Sequence, residues 1–437
     1  MDRFVFCPRS AQITGALQGE ISATLDLPDD VMTRINDCFN LLDFEKAARE
    51  RLPSPLFHYI SGGADDETTK SANTSSFDRY HLTPAFLRDI RKVDMRRTVF
   101  GVDLAWPVML SPTGLTGVFH PDGERAVAQA AASSGVAYSL STMATTSIED
   151  VAAAARGPKI YQLYLLKDDA ANIEMIDRCK AANFDVLCLT VDTVVAGNRE
   201  RDHRTGLTVP PRLNRRNIVG FARRPAWCLR YLAGGGVSLP NIPAGDGNQN
   251  LGTLAAYFAA NMEQNITWSR VERLMRHWGK PFIVKGLQSV ADARNAAASG
   301  VTGIVVSNHG GRQLDGGAAT VDLVANMVDA VGDRLEVVLD SGVRRGSHVV
   351  KALAMGARAC MIGRPYLYGL SAFGKPGVER VLGLLRQETE RTLGLIGCAS
   401  VDEVSRRHIT PADRLPDFLQ YAAAEPNPTT KFTRSMK

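Results

Sequence analysis

His309 and Arg312 stand close together in the stretch SNHGGRQLDGG, residues 307–317. An imidazole titrates near neutral pH, so it can take up or release a proton during catalysis. A guanidinium presents a planar fork of donors that matches a carboxylate or a phosphate. The stretch follows the apolar run Gly303-Ile304-Val305-Val306, which reads as a buried β-strand. Two readings are open at this point. One is a glycine bend with polar side chains in water; the other is an active site where a core strand ends. Asp315, in the same stretch, has no evident chemical task and reads as structural.

The elements around this stretch favour the second reading. From about residue 105, short apolar runs alternate with longer Ala/Leu-rich stretches of helical period. The strand candidates are PVMLSP (107–112), VAYSLS (136–141), KIYQLYL (159–165) and VLCLTVD (186–192), then, after a gap, PFIVKG (281–286), GIVVSNHG (303–310), EVVLDSG (336–342) and ACMIGRP (359–365). Helical stretches such as 123–135, 289–300 and 347–357 lie between them. Alternating β and α units imply a parallel sheet, and eight of them predict a TIM (β/α)8 barrel, with an open doubly wound sheet as the alternative. Such a barrel should collect its functional residues at the C-terminal ends of its strands. The predicted ends carry Ser111-Pro112-Thr113, Ser141-Thr142, Gln162 with Tyr164, and Thr190 with Asp192. The later four carry Lys285, then Ser307 with His309 and Arg312, then Asp340 with Arg344, and Gly363-Arg364.

Composition sets the outer limits. The chain has 437 residues, 45% hydrophobic and 22% charged, enough for a barrel-sized core. A net charge of +5 gives no reason to expect a nucleic-acid partner. Seven scattered cysteines lack zinc-like spacing, so no metal is expected and the thiols read as those of a reduced, cytoplasmic protein. The first residues lack the apolar core of a signal peptide, and no apolar run approaches the roughly 20 residues that span a bilayer. Residues 1–40 read as an N-terminal extension, 41–415 as the barrel domain with an insertion at 205–265 between strand 4 and strand 5, and 416–437 as a tail. Within the domain, a helical stretch over 41–60 is broken at Arg51-Leu52-Pro53-Ser54-Pro55.

The ends of strands seven and eight, DSGVRRG (340–346) and IGRP (362–365), suit a phosphate. Small residues let backbone N–H groups approach the anion and arginine adds charge-assisted bonds, although two ordinary turns would look similar. No GxGxxG opens a βαβ unit, so a phosphorylated cofactor in the barrel mouth fits better than a Rossmann dinucleotide. Lys285 is placed to face the ring of a flavin and stabilise its anionic reduced form. Gln162, Ser141 and Thr190 suit the donors and acceptors of such a ring, or are simply satisfied strand-end polar residues.

With these motifs assembled, the chain resembles the FMN-dependent α-hydroxy-acid dehydrogenases and oxidases. The likeness runs from about Phe44 to Ile409 on YISGGADDE, SPTGLTG, YQLYL, LTVDT with GNRERD, VKG, SNHGGRQLDGG, DSGVRRG and IGRP. Gly114 and the GNRERD stretch look more like the bacterial membrane-bound lactate and mandelate dehydrogenases than the soluble glycolate oxidases. The resemblance implies that His309 is the general base, with Asp192 favouring its imidazolium. It implies that Arg312 and Arg199 clamp the substrate carboxylate, that Tyr59 donates to it, and that Tyr164 contacts the substrate hydroxyl. Met143, where glycolate oxidases carry tryptophan, and Gly114 are implied in the substrate pocket. FMN is implied to be held by Pro112, Thr113, Gly114, Ser141, Gln162, Thr190 and Lys285 on the first five strands, and by Ser307, Asp340, Gly342, Arg344, Gly363 and Arg364 on the last three. The chemistry is consistent with these residue types, since an anionic 2-hydroxy acid needs forked donors and its activation needs a near-neutral base.

Roughly 90 residues separate the fourth and fifth strands, far more than a loop needs. Within them, RLNRRNIVGFARRPAWCLRY (212–231) carries six arginines, no acidic residue, and interleaved Phe221, Trp227, Leu229 and Tyr231. A basic, aromatic segment too short to span reads as an interfacial anchor, or else as a solvated active-site lid. The expectation is therefore L-lactate oxidation, with electrons passed to a quinone or cytochrome, by a homotetramer or larger homo-oligomer. The protein would be cytoplasmic, with peripheral contact at the inner membrane. The alternative is a 2-hydroxy-acid oxidase that uses O2 and gives H2O2. An FMN-dependent barrel isomerase would not need the carboxylate clamp, and a flavin-less scaffold would not need His309 with Asp192. The first 40 residues are too short for a fused cytochrome domain and contain no histidine.

Overall fold

The computed structural model describes residues 35–207, 213–233, 238–243 and 261–413. The chain divides into two compact units, Met1–Phe39 and Asn40–Lys437. The second unit contains every element discussed below. Of the expected extension and tail, residues 1–34 and 414–437 lie outside the described residues, as do 208–212, 234–237 and 244–260 of the insertion.

Eight parallel strands close into a barrel. In chain order they are β1 (Val108–Thr113), β2 (Ala137–Ser141), β3 (Lys159–Leu163), β4 (Val186–Thr190), β5 (Phe282–Leu287), β6 (Gly303–Val306), β7 (Glu336–Asp340) and β8 (Ala359–Ile362). Each pairs with its sequence neighbours, and β8 pairs with β1 to complete the ring. The TIM barrel expected from the strand rhythm is the observed fold, with the long segment inserted between β4 and β5. The strands are apolar runs because both faces are buried, one against the barrel interior and one against the helices. Met109, Ala137, Ile160, Cys188, Ile283, Val305, Val338 and Met361 meet in that interior, all nearly or fully excluded from solvent.

Helix starts are set by side chains that take up otherwise unpaired amides. Ser147, Asp168 and Ser289 cap the helices that begin at Ile148, Asp169 and Val290. The helical stretch over 41–60 forms as two helices, Leu41–Arg51 and Ser54–Ser61, separated at Leu52-Pro53. The long stretch Arg364–Leu395 is really two helices, broken where Gly374 adopts φ 63° shortly before Pro376.

The hairpin Arg97–Val99 and Val102–Leu104 was not foreseen. It turns through Phe100 and Gly101, both at positive φ, the conformation of a tight type I′ turn. Phe100 is buried against the first residue of β6, where a Cβ on Gly303 would lie 2.3 Å from its ring. The hairpin therefore contributes to the core at the N-terminal end of the barrel. Chemistry is left to the opposite end.

Two strands are irregular at that opposite end. The register shifts between Leu110 and Thr113 on β1 and between Lys285 and Leu287 on β5. Such irregularities re-aim side chains and recur beside active sites. Here they fall at Ser111-Pro112 and at Gly286, next to Lys285.

Candidate active site

His309 sits just beyond β6 with φ 57°, followed by Gly310 at 68° and Gly311 at 71°. Three successive left-handed residues make the bend tight, and the glycines are required by their surroundings as well. A Cβ on Gly310 would lie 2.6 Å from the Arg364 guanidinium, and one on Gly311 would lie 2.5 Å from the Lys70 amide nitrogen. Gly311 also accepts the Ala64 amide, which joins this loop to the one after the helix Ser54–Ser61. Asp315 accepts the amides of Thr68 and Thr69 at 3.2 and 2.7 Å, capping the helix Thr68–Ser75 from far along the chain.

The bend brings His309 Nδ1 to 3.1 Å from Asp192 Oδ1 at the end of β4. The Asp192 side chain is only 6% exposed, while that of His309 is 24% exposed. Burial raises the Asp192 carboxyl, but the imidazole of His309 and the charge of Lys285 outweigh it and hold the group below its usual range. Asp192 is thus a fixed anion against one ring nitrogen, which leaves Nε2 for chemistry. Asp192 Oδ2 is buried with no partner.

Two guanidiniums share one phenol ring beside this pair. Arg312 and Arg199 each place the guanidinium carbon 4.9 Å from the centre of the Tyr59 ring. Arg312 Nη1 donates to the carbonyl oxygens of Tyr59 and Gly62, and Arg199 lies 3.2 Å from Asp202. Burial and then the neighbouring charge of Arg199 push the Arg312 guanidinium below its usual value. Two cations held together under partial burial favour an anion between them. Burial, followed by the charge of Asp192, raises the Tyr164 phenol, so its hydroxyl stays a donor.

Across the mouth, Lys285 Nζ lies 3.0 Å from Asp340 Oδ2 and donates to Ser307 Oγ at 2.9 Å. Ser307 and Ser111 in turn donate to Asp340, each at 2.7 Å. Both Asp340 oxygens are therefore engaged by protein groups, which makes this residue the counter-ion of Lys285. Burial pushes the lysine down, but the charges of Asp340 and Asp192 carry it above its usual value. On the neighbouring strands, Gln162 Oε1 accepts from Ser141 at 2.8 Å, while Gln162 Nε2 and Thr190 Oγ1 are buried with no partner. Unpartnered buried polar atoms beside a fixed ammonium fit a planar ring that carries its own donors and acceptors.

Arg364 also has a bracing task in the fold. Its Nε, Nη1 and Nη2 donate to the carbonyl oxygens of Ile60, Gly310 and Gly62, so it ties the His309 bend to the loop after the helix Ser54–Ser61. Arg344 has one guanidinium bond, to the adjacent Val343 carbonyl, and is the less committed of the two. Gly342 accepts Thr74, and a Cβ there would lie 1.9 Å from Asn73 O, so the phosphate-type loop packs directly on the helix Thr68–Ser75. Gly363 directly precedes the helix at Arg364. Gly114 accommodates Met143, whose Cβ would be 2.7 Å from a Cβ at 114.

Three groups were missed. Tyr366 OH donates to the Ser111 carbonyl and meets Thr113 Oγ1 at 2.7 Å, bracing the end of β1. Glu124, fully buried, accepts from Thr116, Thr145 and Thr146 and so joins the loops after β1 and β2. His348 Nδ1 accepts the Arg344 amide at 3.3 Å while its ring stacks on Phe77 at 4.2 Å. Burial, then the charge of Lys351, pushes His348 down to about 4. An unfolded chain binds this proton near its ordinary value, so native stability should fall as pH drops from about 6.5 towards 4. Denaturant melts at several pH values should show His348→Gln flattening that fall relative to wild type.

Comparison with known proteins agrees with this geometry. The family described as FMN-dependent dehydrogenase matches residues 48–411. Glycolate oxidase 1 of Oryza sativa subsp. indica is 38% identical over 377 residues, covering 86% of this chain and 97% of that protein. Monotopic membrane protein (S)-mandelate dehydrogenase superposes with a TM-score of 0.82 at 34% identity, covering 86% of this chain and 99% of that one. A soluble mutant of membrane-associated (S)-mandelate dehydrogenase from Pseudomonas putida gives a TM-score of 0.75 at 34% identity, covering 85% and 99%.

Proposed function

The chain belongs to the FMN-dependent dehydrogenase family and is an FMN-dependent 2-hydroxy-acid oxidoreductase, and we propose that it oxidises L-lactate and passes the electrons to a quinone or cytochrome at a membrane surface. The observation that carries the reading is the His309–Asp192 pair set beside two guanidiniums that share the Tyr59 ring. Bound FMN supplies the two-electron acceptor. Arg312 and Arg199 orient the substrate carboxylate, and Tyr164 donates to the oxygen on the α-carbon. His309 Nε2 takes the proton, and Asp192 stabilises the imidazolium that results. Lys285, with Asp340 behind it, holds negative charge on the ring side of the mouth. Gln162 Nε2 and Thr190 Oγ1 supply the unpartnered polar atoms for the ring, and Arg344 the less committed cation for the phosphate.

Met143 filling the space that Gly114 leaves is consistent with a small aliphatic substituent on the substrate. Relatives named glycolate oxidase and (S)-mandelate dehydrogenase make glycolate and (S)-mandelate the informative competitors. Anaerobic mixing with each acid should bleach the flavin fastest with L-lactate. Faster bleaching by either competitor replaces lactate as the substrate. Reoxidation of the bleached enzyme by a quinone, but only slowly by air, separates the proposed dehydrogenase from an oxidase that gives H2O2.

The insertion supports a membrane-bound acceptor. Leu213, Ile218, Val219, Leu229 and Leu232 are exposed on the same segment as Arg215, Arg216, Arg223 and Arg230. Apolar side chains among cations suit an anionic lipid surface. Among the described residues no helix is long and apolar enough to cross a membrane. Removing the whole segment would also remove the Trp227 bond to the Val118 carbonyl and the Arg224 bond to that of Arg49, which brace the barrel-mouth loop and the helix Leu41–Arg51. Leu229→Glu with Leu232→Glu should instead lower co-sedimentation with anionic vesicles several-fold at unchanged flavin content. Equal sedimentation would remove the membrane part of the reading.

A further inference from the structure

A cavity of about 490 Å³ lies beside the barrel mouth, between the loop after β1 and the inserted helix Pro225–Ala233. One wall is aromatic. Phe119 lines it together with Trp227 and Tyr231, whose rings stack at 4.9 Å and 14°. The remaining lining is rich in cations: among the described residues Arg51, Arg125, Arg223, Arg224 and Arg230 line it with one carboxylate, Glu50.

The arginines are unequally committed. Arg125 is paired with Asp150 at 2.8 Å, and Arg51 lies 5.1 Å from the centre of the Phe373 ring. Arg224 donates to the carbonyl oxygens of Arg223 and Arg49, and its Nε is buried with no partner. Among the described residues no carboxylate pairs with Arg223, Arg224 or Arg230. Burial lowers the His120 imidazole in the same wall, with Asp122 opposing and Arg230 adding to the effect, so this ring adds no further positive charge. Like charges lining one cavity repel one another, and an anion bound among them relieves that repulsion. The volume lies within the ordinary range for a small-molecule site, roughly 300–1,000 Å³.

We propose that this cavity binds a phosphate-bearing anion. Guanidiniums that line one cavity suit the oxygens of a tetrahedral phosphate, and the Trp227–Tyr231 stack offers a flat apolar surface for whatever the phosphate carries. The phosphate is that of a free small anion or of an anionic lipid headgroup reaching in from the exposed face of the insertion. The site shares a wall with the substrate clamp, since the Phe119 ring lies 6.1 Å from that of Tyr59.

The test uses the FMN-loaded enzyme and follows intrinsic tryptophan emission. Inorganic phosphate, phosphatidylglycerol vesicles and phosphatidylcholine vesicles are titrated separately. A saturable change is expected with inorganic phosphate, with phosphatidylglycerol, or with both, and it should vanish in Trp227→Phe. Arg223→Gln with Arg230→Gln should weaken it at least ten-fold while flavin absorbance and flavin reduction by 2-hydroxy acid stay at wild-type levels. A response to inorganic phosphate identifies a site for free anions; a response to phosphatidylglycerol alone identifies the lipid headgroup. The proposal is overturned if neither probe changes Trp227 emission, if phosphatidylcholine acts as strongly as phosphatidylglycerol, or if the arginine variant responds like wild type. None of these failures alters flavin reduction, so the redox function is judged separately.

Discussion

Replacing His309 with glutamine is expected to lower turnover by at least about 10²-fold, within the 10²–10⁴ range of a lost general base, while the flavin stays bound. A glutamine amide is close to imidazole in size and can still donate to Asp192, but it cannot hold a proton at neutral pH. The loss should therefore fall on kcat and on the rate of flavin reduction in anaerobic stopped flow, not on flavin content. Position 309 sits at φ 57°, where a non-glycine side chain is strained in wild type too, so the backbone cost of the change is small. Asp192 is buried and its Oδ2 already lacks a partner, so removing the imidazolium removes the charge that Asp192 is placed to stabilise. Asp192→Asn should consequently reproduce part of the loss with His309 intact. Near-wild-type flavin reduction in His309→Gln would assign the proton transfer to another group.

The barrel was legible because each of its strands is an apolar run buried on both faces and closed by a polar or glycine-bearing end. Observed ends such as Ala137–Ser141 and Glu336–Asp340 fall within two residues of the sequence reading. The strand ends were legible for a related reason: side chains such as Lys285 and Asp192 are costly to bury unless they do something there. Pairings chosen over long separations were not legible. Asn73 and Asn308 exchange amide hydrogen bonds at 2.7–2.8 Å from positions more than 200 residues apart. Asp315 caps a helix that begins at Thr68, so its structural reading was sound but its partner lay beyond any local pattern. Arg364 is expected at a phosphate because a guanidinium follows the last strand; only the fold reveals the three carbonyl oxygens that also engage three of its five N–H groups. The hairpin through Phe100-Gly101 left no clear local signal. Its strands of three residues are too short for a two-residue alternation to stand out.

Lys285→Met is expected to destabilise the fold by about 3–5 kcal/mol, the usual consequence of removing one member of a buried ion pair. Lys285 and Asp340 have side chains only 4% and 9% exposed, so Asp340 would be left as a charge that water cannot reach. Ser111 and Ser307 would still donate to it, which offsets part of the penalty but supplies no opposite charge. Its carboxyl, now held below the usual range by Lys285 once the effect of burial is overcome, should rise and take a proton in the variant. The double variant Lys285→Met/Asp340→Asn removes the stranded charge and should recover much of the stability, as read by denaturant midpoint. It should not recover turnover if Lys285 serves the flavin as proposed, because that ammonium is still missing. That split distinguishes two roles that a single substitution confounds, the support of the β5–β7 core and the preorganised charge at the mouth. If the double variant regained wild-type flavin reduction, Lys285 would be a structural partner of Asp340 with no part in the chemistry.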